Sequence, residues 1–283
     1  MRIETLYPSH PVLKKYIEYY YFVKTDDPDF EVIFYAFPHI FQSLNIHKHT
    51  DYKINDCTKK LFESRERTYL SLIHGKIDVP YLIHLAGKLD KLSIIFKPLG
   101  MNQFIRKPFN VLAPHSFNVF REWDKDSRYN KFLFDFYATD DSTGRIALLE
   151  AFLMTQYQPL PENRLLQEII DELTDFDRDM KVSDIARKHF IEEKTFTRFF
   201  KKHLGFTPVS FKKVARFRHS LKNRLLAGHP VPLTQVGYKS NFYDQSYFVR
   251  VYKQLTNENP SSFFRHVNQL TDQLYFRFLK DNA

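Results

Sequence analysis

Short apolar runs separated by turn residues make up most of the first 120 residues. Residues 11–24 place Leu13, Ile17 and Tyr20 at helical spacing, which predicts a short amphipathic helix. The next runs are rich in Ile, Phe, Tyr and Leu and are broken by proline and glycine, a pattern typical of strands. These predicted strands favour an antiparallel barrel or sandwich. They cover residues 30–37, 40–46, 68–73, 81–85 and 91–96.

From about residue 131, apolar side chains recur every three or four positions, which predicts helices. The predicted helices cover residues 132–137, 145–157 and 164–173. The apolar residues at 146–154 allow either a dimer seam or packing within the same chain. An acidic stretch at 175–179 follows, and it indicates the boundary between two domains.

After residue 180 the pattern predicts the same arrangement twice, a short helix, a turn and a longer helix. The first copy covers residues 182–190 and 193–204, and the second covers 233–240 and 244–255. Ser183 and Asp244 are the expected N-caps, because their side-chain oxygens can accept a free amide hydrogen of the first turn. Gly205 and Asn257 are expected to end the longer helices, because both tolerate a positive φ.

The two longer predicted helices share an aromatic-x-Arg-x-aromatic-Lys pattern, which makes a chance repeat improbable. It begins at Phe196 in the first copy and at Phe248 in the second. A helix predicted at 208–226 joins the copies and is roughly 28 Å long at 1.5 Å per residue. Since one turn of DNA is about 34 Å, such a rod suits two recognition helices in successive major grooves.

Charge is unevenly distributed along the 283 residues, whose formal net charge is +9. Residues 178–283 contain 20 Lys+Arg and 8 Asp+Glu, so the positive excess belongs to this last third. Such asymmetry indicates a polyanionic partner, although charge alone leaves DNA, RNA and an anionic membrane open. The first residues lack the apolar stretch of a signal peptide, and no run is long enough to span a bilayer, so a cytoplasmic chain is expected.

Residues ~176–265 resemble the double helix-turn-helix domain of the AraC/XylS family of transcription regulators. The matching pieces are Val-Ser-Asp-Ile-Ala at 182–186, Phe-Thr-Arg-Phe-Phe-Lys-Lys-His-Leu-Gly-Phe-Thr-Pro at 196–208, Arg216 with Leu225-Leu226, and Asn-Phe-Tyr-Asp-Gln-Ser-Tyr-Phe-Val-Arg-Val-Tyr-Lys at 241–253 with Pro260. The chain departs from the family at Val236-Gly237, where Ile-Ala is usual, and at Asn241 and Asn257, where glycine is usual.

The N-terminal part resembles the N-terminal domain of a subgroup of this family. The resemblance rests on His10-Pro-Val-Leu-Lys-Lys-Tyr-Ile-Glu-Tyr-Tyr, Phe37-Pro-His-Ile and Phe96-Lys-Pro-Leu-Gly-Met. It implies a cupin-like small barrel that senses a small molecule or dimerises. The expected fold class is α+β with two domains, a β-rich cupin-like N-terminal domain and an all-α double helix-turn-helix domain. The expected divisions are 1–125 for the sensor, 126–175 for linker or dimerisation helices, 176–270 for DNA binding and 271–283 for a tail.

The resemblance, together with helical spacing, assigns DNA contacts on both recognition helices. In the first, Lys194, Thr197 and Arg198 are expected at base edges, and Lys201 and Lys202 at phosphates. The second set is Tyr243, Gln245, Ser246, Arg250 and Lys253. A basic face that contacts only solvent is the plainer interpretation of both sets. On the linking helix, Arg216 is expected to make a structural bond, that is, one within the folded chain. Arg218 is guessed to contact a phosphate.

The resemblance also implies RNA polymerase as a partner, activation of transcription, a homodimer and a possible effector in the N-terminal domain. No cofactor is expected. The histidines at 39, 47, 49, 74, 84 and 115 raise a metal site that we do not favour, because no carboxylate or cysteine stands at ligand spacing. Cys57 is expected to be an exposed, inert thiol. The alternatives are a DNA-binding protein with a catalytic N-terminal domain, for which no activated nucleophile is found, and a non-specific nucleoid-type binder.

Overall fold

The computed structural model describes residues 1–55, 58–227, 231–269 and 275–281. Within these residues the N-terminal half and the end of the chain form strands, and the region between them is mostly helical. The strands are β1 (Arg2–Leu6), β2 (Ile17–Thr25), β3 (Glu31–Ala36), β4 (Gln42–Lys48), β5 (Thr50–Asn55), β6 (Thr58–Glu63), β7 (Tyr69–His74), β8 (Tyr81–Ala86), β9 (Leu89–Phe96), β10 (Phe117–Val119), β11 (Asn268–Gln269) and β12 (Tyr275–Asp281).

A short 3-10 turn at Met101–Gln103 follows β9. The helices are α1 (Pro11–Tyr16), α2 (Phe109–Leu112), α3 (Ser127–Ala138), α4 (Ser142–Gln156), α5 (Asn163–Thr174), α6 (Val182–Lys188), α7 (Glu193–Leu204), α8 (Pro208–Leu225), α9 (Leu233–Lys239), α10 (Gln245–Thr256) and α11 (Pro260–His266).

The strands form two six-stranded sheets, in the orders β1-β2-β9-β4-β7-β10 and β11-β12-β3-β8-β6-β5. Neighbours are antiparallel except β6 and β8, which are parallel. All five predicted strands are present with shifts of one or two residues at their ends. The two-domain α+β fold class is therefore confirmed.

The helix predicted at 11–24 is wrong beyond Tyr16, because residues Ile17–Thr25 form β2 in the middle of the first sheet. Tyr20 pairs with Ile94 and is fully buried there. The apolar positions fit both periods over this short stretch, and aromatic and β-branched residues pack well on a pleated surface. Pairing with β9 on one side and β1 on the other decides for the strand.

Helices α3 and α4 cover the first sheet with an aromatic layer. Phe132 of α3 stacks on Phe152 of α4, with ring centres 4.9 Å apart, and both are buried. Leu149 and Leu153 of α4 are also fully buried in this cluster. The apolar residues at 146–154 therefore pack mainly within their own chain, which was one of the two alternatives for this segment.

The helical region from α5 to α11 has its own core, in which aromatic rings meet edge to face. Phe196 and Phe200 of α7 have ring centres 5.0 Å apart, and Phe217 of α8 lies 5.1 Å from Tyr252 of α10. The long helix ends at Leu225, one residue before the predicted end, and Gly228 and Pro230 lie outside the described residues. Part of this core reaches the N-terminal half, because Phe37 lies 4.9 Å from Phe263 of α11.

The end of the chain returns to the N-terminal half, where a tail was expected. Strand β12 pairs antiparallel with β3, so that Phe276 stands opposite Ala36 and Phe278 opposite Phe34. From Phe276 to Leu279 aromatic and other residues alternate, which places Phe276 and Phe278 on one face of the strand. Strand β12 covers the edge of β3, which would otherwise present unpaired backbone groups.

The two halves are also joined through the end of α7. The carbonyl oxygen of His203 accepts hydrogen bonds from Asn102 Nδ2 at 2.8 Å and from Gln42 Nε2 at 3.1 Å. All three residues are buried. The first recognition helix is therefore fixed to the N-terminal half by its C-terminal end.

No helix of the described residues is long and apolar enough to cross a membrane.

Candidate nucleic-acid interface

Helices α6 and α7 form the first helix-turn-helix unit. Ile185 and Ala186 of α6 are buried against α7, and the amide of Ile191 donates to the carbonyl oxygen of Ala186 at 2.9 Å, which closes the turn. Phe190 in this turn has a φ of 54°. The predicted N-cap Ser183 is wrong, because α6 begins at Val182 after Lys181 and has no side-chain cap. Gly205 ends α7 with a φ of 76°, as predicted.

The predicted contact residues of α7 lie on its outward face. Lys194, Arg198 and Lys201 are exposed, while Thr197 and Lys202 are half-buried beside them. The opposite face carries Phe196 and Phe200, which are buried. Within the described part of the chain, none of these cations forms an ion pair with a carboxylate. The amphipathic spacing thus leaves a basic surface open on this helix.

Helices α9 and α10 form the second unit. Asp244 caps α10 by accepting the amide hydrogen of Tyr247 at 2.6 Å, as predicted. Asn241 in the turn and Asn257 at the end of α10 have φ values of 53° and 60°, so both asparagines take the conformation in which glycine is usual. The turn geometry of the family is therefore kept at both departures.

The exposed face of α10 repeats that of α7. Its outward side chains begin with Tyr243, which is 93% exposed in the preceding turn. Phe248 and Tyr252 occupy the buried face. The structure brings the whole predicted second set to one surface, namely Tyr243, Gln245, Ser246, Arg250 and Lys253, all exposed.

Gly237 is buried where α9 meets α10, but space does not require glycine there. A Cβ at this position meets Phe248 Cγ at 3.7 Å and Gln245 Oε1 at 3.6 Å, which are ordinary contacts. Alanine, the usual family residue, therefore fits. The glycine costs the short helix up to about 1 kcal/mol of helix propensity.

Helix α8 holds both units at its two ends. In the first half of α8, Arg216 and Lys212 form ion pairs with Asp179 at 2.6 Å and 2.8 Å, which ties the segment before α6 to the rod. At its end, Asn223 Nδ2 donates to Ser240 Oγ of the second unit at 3.1 Å. The structural bond expected of Arg216 is therefore present. With 18 residues, α8 is about 27 Å long.

The guess of a phosphate contact for Arg218 is not supported by its position. Its guanidinium donates to the carbonyl oxygens of Pro38 and Phe37, both at 2.6 Å, and so faces the N-terminal half. Two exposed aromatics near the recognition helices were not singled out from sequence, Phe190 at 96% and Tyr238 at 86% exposed. Residue type gave no signal for them, because aromatic residues at these positions equally suit a core.

The other candidate chemistry does not assemble into a site. His47 lies buried in β4, whereas His49 follows the strand with a φ of 49°, so the two histidines do not share a strand face. Among the residues that the structure describes, no three His, Cys, Asp or Glu side chains lie close enough to hold a metal ion. Cys57 lies outside the described residues.

Comparison with known proteins agrees with this geometry. A helix-turn-helix domain model of the AraC type matches residues 185–266. The C-terminal domain is an AraC-type helix-turn-helix domain. A second model, a domain of unknown function (DUF6597), matches residues 5–118, which cover most of the sandwich. The resemblance to the AraC/XylS family is thereby confirmed for the part of the chain that carries the two units.

One curated relative of the AraC-type domain is the arabinose operon regulatory protein of Escherichia coli strain K12. It is 30% identical over 128 residues, 42% of this chain and 42% of the relative, so the match spans less than half of that protein. Among solved structures, ToxT from Vibrio cholerae is similar over 94% of this chain and 98% of its own, with 11% identity and a TM-score of 0.47. Unsaturated fatty acid bound ToxT covers 93% and 96%, with 14% identity and a TM-score of 0.44.

Proposed function

We propose that the protein is a sequence-specific transcription regulator that docks both recognition helices in successive major grooves of duplex DNA. The observation that carries the proposal is the repeated outward face of α7 and α10, held by one rod. Lys194, Thr197 and Arg198 are assigned to base edges in the first groove, with Lys201 and Lys202 at phosphates. The second set is assigned to the next groove, where Gln245 suits adenine and Arg250 suits guanine.

The length of α8 sets how the DNA must meet the two units. About 27 Å of helix is shorter than the roughly 34 Å of one DNA turn, so the duplex is expected to bend toward the protein on binding. Bending costs on the order of 1–6 kcal/mol, which the contacts of the second unit offset. The site is therefore expected to contain a deformable step between its two half-elements.

The experiment that tests the proposal is selection of fragments from genomic DNA at ~0.15 M salt, followed by sequencing. We expect enrichment of a site with two half-elements about one helical turn apart. Fragments without a shared motif, in the presence and absence of cell extract as a source of effector, would contradict sequence-specific binding. That result would favour a non-specific binder of the DNA backbone.

We further propose that the N-terminal domain responds to a small molecule and performs no catalysis. Three structural connections carry its state to the recognition helices. They are the carbonyl of His203 on α7, the guanidinium of Arg218 on α8, and strand β12 beyond α11. A shift of the sandwich walls therefore changes how the two units face DNA, and with it the recruitment of RNA polymerase. We assign the protein to the cytoplasm and to activation of transcription.

The regulator is proposed to act as a homodimer. Because the buried side of α4 is used within the chain, we place the seam on α3, where Phe134 is 68% exposed. Light scattering of the full chain tests this, with a dimer expected for the native chain and a monomer for Phe134→Ser. A monomeric native chain at ~10 µM, well above the Kd of a specific dimer, would contradict it.

A further inference from the structure

An apolar cavity lies between the two sheets of the N-terminal domain. Its volume is about 90 Å³, where about 10–15 Å³ suffices for one water molecule. Strands of both sheets supply its walls, and most of the lining side chains are aliphatic or aromatic. They include Val23, Val32, Phe34, Leu61, Ile83 and Leu85. Pockets for drug-sized ligands are roughly 300–1,000 Å³, so this cavity has room only for a compact apolar body.

Lys59 interrupts this lining at depth. It is 1% exposed, its Nζ lies 2.8 Å from His74 Nε2, and it stands 5.1 Å from the ring centre of Phe117. Burial, and then the charge on Lys91, hold the pKa of Lys59 well below its usual range. The lining of the cavity therefore does not supply what a lysine ammonium needs in order to stay charged.

A second lysine and a histidine stand on the facing sheet. Lys91 is 8% exposed and donates to Tyr21 Oη at 3.1 Å. His47 is its cross-strand neighbour and is 1% exposed. Neither ring nitrogen of His47 has a hydrogen-bond partner among the described residues. Burial, followed by the charges on Lys91 and Lys59, holds the pKa of His47 well below its usual range.

The described residues provide no carboxylate for this cluster. The acidic group that Lys91 does contact is the Tyr21 phenol, where burial raises the pKa but Lys91 and Ser93 more than offset that effect and lower it. The charges acting on Lys59, His47 and His74 come from neighbouring cations and histidine. Elsewhere in the chain buried cations do have carboxylates, as Arg145 has Asp90 at 3.0 Å. Buried unpaired charge is costly, so a fold that keeps two lysines in an apolar wall is expected to receive its anion from outside.

We propose that this cavity binds a small organic monoanion, a carboxylate carried on a compact apolar body, with Lys59 and Lys91 as the groups that hold the carboxylate. The inference rests on the proposed function, because it names the chemistry of the effector. A neutral polyol does not suit the site, since the lining offers few polar atoms for its hydroxyls. Inorganic phosphate leaves the apolar walls unused.

The end of the chain forms one wall of the same site. Phe276 and Phe278 of β12 line the same cavity as the two lysines. Arg277, which lies between these phenylalanines in the sequence, pairs with Glu258 at 2.6 Å, at the junction of α10 and α11. A ligand that presses on the two phenylalanines therefore acts on a strand that is tied to the second helix-turn-helix unit.

Calorimetry on the full chain tests the site with five probes. Phenylacetate and hexanoate carry the anion, and phenylacetamide and hexanamide are their neutral isosteres. We expect each acid to bind about tenfold or more tightly than its amide, since hydrogen bonds to charged groups are the strong ones. Inorganic phosphate is the probe for a bare anion and is expected not to bind.

Two variants separate a binding role from a structural one. Lys59→Met removes the charge and keeps much of the stem, so it should abolish the advantage of the acids while raising the melting temperature of the chain without ligand. Lys91→Met should weaken the acids in the same direction. Lys60→Met is the matched control, because Lys60 is the next residue on β6 and its side chain points to the other face. It should leave both measurements unchanged.

Equal affinity for acids and amides, or unchanged acid binding in Lys59→Met, would overturn the proposal, as would the failure of both acids to bind at millimolar concentration. A lower melting temperature for Lys59→Met together with unchanged acid binding would assign Lys59 a structural role only. The DNA selection is performed separately on the same preparation. Acid binding without a selected DNA motif would contradict the proposed function but not the anion site. A selected DNA motif without acid binding would contradict only the anion site.

Discussion

The two halves of the molecule treat positive charge in opposite ways. In the helical half, Lys194, Arg198 and Arg250 stand exposed on recognition helices. In the sandwich, Lys59 and Lys91 are buried in an apolar wall. In both places none of the described carboxylates forms an ion pair with these cations. The difference in burial indicates different partners, an extended polyanion outside and a small anion inside.

A third arrangement shows what a cation looks like when the chain itself supplies the anion. Lys212 and Arg216 are largely buried, and both contact Asp179. Their positive charge is therefore balanced by a carboxylate of the chain itself. Removing the anion here and removing the cation in the sandwich should have opposite effects on stability, which gives the sharpest test of the comparison.

Asp179→Ala is expected to destabilise the chain by about 3 kcal/mol, because it leaves two largely buried cations without their anion. Urea unfolding followed by circular dichroism measures this. Asp177→Ala, an exposed carboxylate two residues away, is the control and should stay within about 0.5 kcal/mol of the native value. If Asp179→Ala were as mild as the control, the helical half would tolerate unpaired buried cations as the sandwich does, and the contrast would fail.

Arg198→Ala should weaken binding to the selected DNA site by about 1–3 kcal/mol and relax the preference at one base pair. Arg250→Ala should cost less, about 1 kcal/mol, because Arg250 also lies 5.8 Å from the ring of Tyr247 and belongs to the unit that contains Gly237. Titration of each variant against the site and its single-base variants checks both. Unchanged base preference in Arg198→Ala would remove it from the base edges.

Acidification should destabilise the sandwich through its buried histidines. The pKa of His47 and that of His74 are lowered by burial first and then by the neighbouring lysines, so the folded state keeps both neutral while the unfolded state takes up protons below about pH 6.5. Stability is therefore present above that pH and is lost as the pH falls, with a slope of at most about 1.4 kcal/mol per pH unit for each histidine.

Urea unfolding between pH 5.5 and 7.5 measures this slope, which His47→Leu should reduce. His203 and His219 lie in the helical half, and burial lowers their pKa values too. Their contribution to the slope should therefore remain in the His47→Leu variant. His115→Gln, at an exposed position, should leave the slope as it is. An identical slope in His47→Leu and in the native chain would mean that His47 is charged in the folded state.

Lys201→Ala should weaken binding to all DNA sequences alike and lower the salt dependence of the binding constant by about 0.9 in the logarithmic slope, the value of one phosphate contact. Lys253→Ala is expected to do the same in the second unit. Lys53→Ala, an exposed lysine on β5 of the sandwich, is the matched control. A change in base preference in Lys201→Ala would contradict the phosphate role.

The helical half could be predicted in detail because its signals are local. Asp244 caps a helix within its own turn, Gly205 ends one, and the three- and four-residue spacing separates Arg198 from Phe196 and Phe200 without knowledge of the rest of the fold. The failure at Ser183 is small, because the helix start is shifted by two residues, from an N-cap at Ser183 to one at Lys181. The predicted contact residues of α7 and α10 therefore lie on the outward faces of these helices, whereas Arg218 of α8 faces the N-terminal half.

The sandwich could be predicted only as a class, because its elements depend on distant partners. Ile17–Thr25 became a strand by pairing with β9, and 275–281 by pairing with β3. Lys59 and Lys60 are adjacent lysines in a polar stretch, and only the pairing of β6 with β8 decides which of them points inward. The buried cation cluster was for that reason invisible in the sequence.

The pairing of β12 with β3 has a consequence for the order in which the protein is made. The two strands are separated by about 240 residues, which takes about 10–50 s of translation. During that time β3 is the outer strand of its sheet, and its unpaired backbone can bind other extended chains. The N-terminal domain is thus completed only after α7 and α10 have been synthesised. A nascent or shortened chain that lacks β12 can present the proposed DNA-contact faces of these helices before the second sheet of the N-terminal domain is complete.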